Sequence, residues 1–198
     1  GSLQWFLPGV VVMIALFGTS MVGSNLLYEL MTGSFERVLA TPLTRSSLMI
    51  GRALKELTPL VVQALIIVLV AWPFGFQIHP LHIAVGLLLL GVFGVGLGAL
   101  SYALALATRS SEWLFWGVQQ TLLFPLLILS GMMLPLEAGP RWMQVIAQFN
   151  PLTYIVNAER ELFNGQFGTA TLAGAVAAVA TCIIGLVIGV RVVRRVAL

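Results

Sequence analysis

Long apolar runs broken by a few polar intervals set the pattern of this chain. A helix that crosses a bilayer needs about 20 predominantly apolar residues. Five segments meet that requirement, near 9–30, 58–76, 83–107, 113–134 and 169–190. They predict an all-α, polytopic transmembrane bundle in a single domain over 1–198. The longest polar interval, 33–57, carries Glu36, Arg37, Arg45, Arg52, Lys55 and Glu56, charges too costly for the bilayer core. Ser34 suits the N-cap of a short helix with Phe35, Val38 and Leu39 on one side. Pro42 disfavours the helical conformation at Thr41, which predicts a stop there. A second helix is expected from about Thr44, with Ile50, Leu54 and Leu57 on one face and Arg45, Arg52 and Lys55 on the other. The interval therefore reads as helix, break, helix at a membrane surface, leading into the next span.

The interval 134–168 has a different grammar. Pro135, Pro140 and Pro151 forbid one continuous helix. Between them Trp142, Val145, Ile146 and Phe149 recur at helical spacing and form an amphipathic face. Asn150 can cap a further helix with Pro151 at its first position. That helix carries Leu152, Ile155, Val156 and Leu162 and stops at Asn164-Gly165. Its length of about 13 residues reaches only about 20 Å, short of the roughly 30 Å hydrocarbon core. Two short helices so placed read as re-entrant or interfacial elements.

Composition agrees with a membrane protein. Hydrophobic residues make up 59% and charged residues 9%, where a soluble domain carries about a quarter charged. Placing 33–57 in the cytoplasm puts Arg37, Arg45, Arg52, Lys55, Arg109, Arg191, Arg194 and Arg195 inside, leaving Arg141 and Arg160 outside. The C-terminus is then cytoplasmic. Trp5, Trp72 and Trp142 fall at the outer boundary and Trp113 and Trp116 at the inner one, as aromatic belts require. The net charge of +3 follows this topology and does not argue for nucleic acid. Within the spans, Thr19, Ser20, Ser24 and Asn25 fit interhelical hydrogen bonding, and Gly94-x-x-x-Gly98 and the ladder Ala173, Ala177, Thr181, Gly185, Gly189 fit packing seams.

Much chemistry is missing from the sequence. It has no G-x-x-x-x-G-K-[ST] and no H-E-x-x-H, and it has no aspartate. His79 and His82 lack a nearby third ligand, so no metal is expected. The lone Cys182 sits in an apolar run as a packing residue. No span carries a charge near its centre, which disfavours an ion-coupled carrier. A membrane-embedded enzyme would need a catalytic constellation that is not found unless the two histidines belong to one.

The motif Glu36-Arg37-x-x-x-Thr41-Pro42-Leu43-x-Arg45 resembles the cytoplasmic signature of type-2 ABC exporter permeases, in the daunorubicin/doxorubicin-resistance branch. The stretch Leu129-Ser-Gly-x-x-x-Pro135-x-Glu137…Trp142…Asn150-Pro151-Leu152-Thr153-Tyr154 resembles the same family at the matching place. The resemblance implies a coupling helix, with Glu36, Arg37, Thr41, Pro42, Leu43 and Arg45, that docks on a separate ATP-binding subunit. ATP and Mg belong to that partner, and no cofactor is implied for this chain. It further implies a second permease copy or a related permease, a bacterial cell membrane, and six spans with a first helix before residue 1. The short outer helices become a lid, with Trp142, Phe149, Asn150, Pro151, Tyr154 and Glu159. Glu159, Arg160 and Glu161 read either as the lid's outer edge or as a solvated charged turn. From polarity and position, Asn25, Gln119, Gln120 and Phe124 are the expected substrate path, for a hydrophobic drug-like or lipid-like molecule. An exporter of lipid-linked polysaccharide and a non-transporting membrane assembly module are the alternatives.

Overall fold

The computed structural model describes residues 2–196; the side chains of Arg45, Met49 and Ala53 lie outside that description. Among the described residues every regular element is helical. In chain order they are α1 (Ser2–Thr32), α2 (Ser34–Leu39), α3 (Arg45–Ala71), α4 (Pro80–Ala107), α5 (Glu112–Ile128), α6 (Arg141–Ala147), α7 (Pro151–Phe163) and α8 (Thr169–Val196). Single 3₁₀ turns at Trp72–Phe74 and Leu136–Ala138 follow α3 and precede α6.

Four helices, α1, α3, α4 and α8, are long and apolar enough to cross a membrane. The segment 113–134 expected as a fifth span is shorter than predicted. Its helix α5 has 17 residues, about 25 Å at 1.5 Å per residue. It ends because Ser130 turns its hydroxyl back onto the Leu127 carbonyl (2.7 Å) and Gly131 takes a left-handed φ of 75°. Apolar composition alone carried the prediction past that stop. The helix expected from about Thr44 is α3, which leads unbroken through Pro59 into the span. Its faces are only partly those expected: Lys55 is exposed and Leu57 packs partly buried against α4, but other positions depart. Ile50 and Leu54 are exposed, whereas Arg52 turns inward to a carboxylate on α1.

Helix α4 is the centre of the bundle, packed against α8 on one side and α1 on the other. Small residues make this possible. A β-carbon on Gly96 would stand 2.6 Å from the Thr181 carbonyl oxygen and 2.7 Å from the Cys182 backbone, so the α4 and α8 backbones touch there. Gly94 faces α1, where a β-carbon would meet Thr19 at 2.8 Å. One buried apolar cluster centres on Leu16, Leu90, Phe93, Ile155 and Phe163, and a second on Leu26, Phe35, Tyr102 and Phe115. The first packs α7 against the N-terminal half of α1; the second seats α2 at the opposite end. The fold thus has two distinct working ends.

Candidate functional site

The polar interval builds a clamped elbow. Gly33, at a φ of 74°, lets the chain turn from α1 straight into α2. Gly33 therefore holds the N-cap position that the sequence assigned to Ser34, and no side chain caps α2. The six-residue α2 ends at Leu39, Thr41 donates its hydroxyl to the Val38 carbonyl (2.6 Å), and Pro42 follows in the break. Thr44 caps α3 by accepting the Ser47 N–H.

Phe35 is buried and meets the Tyr102 ring edge-on at 6.4 Å. The Arg52 guanidinium lies 5.9 Å from the Phe35 ring and 5.8 Å from Tyr102, and it forms an ion pair with Glu29 of α1. Four elements, α1, α2, α3 and α4, meet around one guanidinium. One turn away, Asn25 donates to Glu56 at 3.0 Å. On the opposite side Glu36, Arg37, Thr41, Pro42 and Leu43 are all exposed. Arg45 opens α3, but its side chain is outside the description. Glu29 was missed from sequence. Its signal was there, a single carboxylate near the end of an apolar helix, which needs a partner.

Beside this elbow is a cavity of about 390 Å³ between α1, α4, α5 and α8, lined by Ser20, Leu104, Gln119, Leu123 and Ile188 among others. Its polar corner is organised by Ser101. The Ser101 hydroxyl accepts the Gly23 N–H (3.0 Å) and lies within donor reach of the Ser20 carbonyl (2.6 Å) and Gln119 Oε1 (3.0 Å). The rest of the lining is hydrocarbon. Of the four expected path residues, only Gln119 lines this cavity. Asn25 is bound to Glu56, Phe124 is exposed, and the side-chain oxygen Oε1 of Gln120 is buried with no partner among the described residues. Neighbours on one helix point about 100° apart, and of adjacent Gln119 and Gln120 only Gln119 turns into the cavity.

The other end carries α6 and α7. Asn150 caps α7 through the Leu152 N–H (3.0 Å) and donates to the Leu126 carbonyl (2.9 Å), while Thr153 donates to Leu129. Arg160 spans the gap to α1, donating to the carbonyls of Trp5 (3.1 Å) and Gly131 (2.7 Å), with its guanidinium 3.9 Å from the Trp5 ring centre. His79 meets the Phe163 carbonyl at 3.3 Å and His82 stacks on Phe167 at 4.2 Å. Trp142 and Phe149 are exposed, and Tyr154 donates to the Gln148 carbonyl. Phe149, Pro151 and Tyr154 line a groove of about 590 Å³ against α8.

Glu159 corrects the sequence reading. It lines no edge and is not solvated: it is completely buried, beside the position where a β-carbon on Gly86 would stand. The reason is its register, because Leu152, Ile155, Val156, Glu159, Leu162 and Phe163 all fall on the buried stripe of α7. Burial pushes its carboxyl up to about 8.

Comparison with known proteins agrees with this architecture. The family model described as ABC-2 type transporter matches residues 1–164. The chain is 30% identical to the "Daunorubicin resistance ABC transporter permease protein DrrB1" of Streptomyces coeruleorubidus, over 84% of this chain and 59% of that protein. It is 27% identical to the "Probable multidrug ABC transporter permease YbhR" of Escherichia coli K12, over 81% of this chain and 44% of that protein. It therefore spans about half the length of these curated relatives. No solved structure matches it. The all-helical, multi-pass chain belongs to the ABC-2 type transporter family, as a permease.

Proposed function

We propose that this chain is the membrane-spanning part of an ATP-driven exporter that moves a hydrophobic, drug-like or lipid-like molecule out of a bacterial cell. ATP is bound and hydrolysed on a separate subunit, and a second permease completes the pathway. The observation that carries the reading is the elbow. Arg52 fixes α2 to three long helices through Glu29, Phe35 and Tyr102, while Glu36, Arg37, Thr41, Pro42 and Leu43 remain exposed on its outer side. A segment joined to three helices passes a push to all of them at once. One joined only by a flexible loop would dissipate it. Exposed charges of both signs beside Leu43 suit a protein partner, and Pro42 keeps the break that presents them.

The 390 Å³ cavity beside the elbow suits the cargo. Pockets of this size and apolarity take drug-sized molecules, with a few polar groups to orient them. Here Gln119 and Ser101 supply that polarity, and no charge demands an ionic cargo. In this reading α5 and the turn after it make a fifth crossing, and α6 and α7 form the outer lid. The relatives named for daunorubicin resistance and multidrug transport favour a drug over a lipid-linked polysaccharide.

Co-purification with the ATP-binding protein encoded beside this gene tests the reading. Wild type should capture it, and the double charge reversal Glu36→Arg with Arg37→Glu should not. Failure of a well-folded wild type to capture any such partner would favour the non-transporting membrane module.

A further inference from the structure

Glu159 is the one acidic residue on the buried face of α7, and the function proposed above gives its carboxyl no task. Both carboxyl oxygens are sealed from solvent and have no hydrogen-bond partner among the described residues. A leucine would fill the site without that cost. Gly86 of α4 makes the room: a β-carbon there would stand 2.6 Å from Glu159 Oε2. A buried carboxyl with no partner cannot stay ionised in so dry a contact. It holds its proton, or α7 moves.

The hydrogen bonds of α7 hold it to α5, α1 and α8, where Glu161 accepts from Thr171 and Gly174 packs against Ala158, and leave its α4 face nearly without them. Asn150 and Thr153 bind carbonyls at the end of α5, and Arg160 binds the turn at 131–132 and Trp5. On the α4 side the polar contact is the 3.3 Å approach of His79 to Phe163 at the far tip of α7. Between, α7 rests on α4 by packing alone. Gly165, at a φ of 75°, gives the chain a turn directly after α7.

We propose that Glu159 is a proton-operated latch between α7 and α4, seated against Gly86 while it carries its proton and released into water when it gives the proton up. The proton passes to the outer aqueous phase, and no bond other than O–H is made or broken. This rests on the reading of α7 as part of an outer lid.

The surrounding charges leave the carboxyl to itself. On α7, Arg160 points to Trp5 and the 131–132 turn, and Glu161 accepts from Thr171. Tyr154, also on α7, is turned to the Gln148 carbonyl. On α4, His82 stacks on Phe167. On α8 the titratable groups are Cys182 and, at the far end, Arg191, Arg194 and Arg195. On α1 they are the exposed Tyr28 and Glu29, the latter paired with Arg52, both at the opposite end of the molecule. Burial alone therefore sets the raised carboxyl. The sign follows. The seated state binds the proton more tightly, so seating is fully favoured below the ordinary carboxyl range. It weakens as pH rises, until the seated carboxyl itself ionises near 8.

The test uses the full-length permease in lipid nanodiscs, with Cys182→Ser removing its cysteine and Val156→Cys placing a buried thiol on α7. Maleimide labelling of that thiol is measured with and without Glu159→Gln from about pH 5 to about pH 9. The ratio of the two rates cancels the thiol's own titration. The ratio should be a few-fold above one at about pH 5, rise by up to about tenfold per pH unit, and level off above about pH 8. A ratio flat with pH overturns the latch and leaves the coupling reading intact, because partner capture through Glu36 and Arg37 does not involve Glu159. If Val156→Cys does not fold, the infrared carbonyl stretch of a protonated carboxyl serves instead. A band that titrates in wild type and is missing from Glu159→Gln supports the latch. No difference between them at any pH overturns it.

Discussion

Arg52 joins more of the molecule than any other side chain at the elbow, so its removal isolates what the clamp contributes. The pair it makes with Glu29 is partly buried, with side-chain exposures of 19% and 32%. Such pairs lie between solvent-exposed ones, worth little, and fully buried ones, whose disruption is severe. Arg52→Ala should therefore cost about 2 kcal/mol, read as a lowered thermal midpoint in detergent. Arg52→Lys keeps the charge but loses the planar fork that lies over Phe35 and Tyr102, and should fall between the two. A double-mutant cycle with Glu29→Gln should show coupling, and additive losses would mean that the pair contributes nothing. At this scale the sequence was a partial guide. Arg52 was visible as a cation on a helix face, but its direction depended on where Glu29 lay across the bundle, and helical periodicity carries no information about a partner 23 residues away.

At the scale of elements, the caps and breaks were legible and the lengths were not. Asn150, Pro151 and the Asn164-Gly165 stop delimit α7 as the sequence indicated, and Pro42 lies in the break between α2 and α3. These are local devices, settled by backbone sterics within a few residues. The end of α5 was misplaced because Leu129 to Leu134 is apolar enough to continue a span, and the turn at Ser130 and Gly131 stops it. Small-residue seams were half legible. The stripe on α8 was found, but its partner on α4 is Gly96, between Gly94 and Gly98. This makes a discriminating pair of variants. Gly96→Ala puts a methyl group against the α8 backbone and should destabilise by about 1–3 kcal/mol. Gly18→Ala, with open space around it, should be neutral or stabilising by up to about 1 kcal/mol. Equal thermal midpoints for the two would contradict the close α4–α8 contact.

At the scale of the whole molecule, the elbow and the cavity adjoin but use different residues, so they should fail separately. Leu104→Trp narrows the cavity without touching Glu36, Arg37 or Pro42. It should reduce export of an apolar drug by about tenfold, the equivalent of about 1.4 kcal/mol of lost binding, and leave capture of the ATP-binding subunit unchanged. The elbow charge reversal should do the opposite, abolishing capture in a bundle that still binds cargo. Transport assays in vesicles, run beside co-purification, separate the two. Loss of both functions in Leu104→Trp would place the cavity within the coupling machinery.

That the chain is helical and membrane-embedded, where its polar elbow lies, how α7 is capped, and which family it belongs to could all be read from the residues in order. Each of these is written in composition or in neighbours a few residues apart, where hydropathy and backbone sterics act. It took the packed bundle to reveal that Glu29 receives Arg52, that Gln119 and Asn25 belong to different places, and that Glu159 is sealed against Gly86 rather than exposed. Those facts depend on which helix face meets which, and that is set by the packing of distant segments. A single charged residue on a helix reads the same in sequence whether water or a glycine lies opposite it.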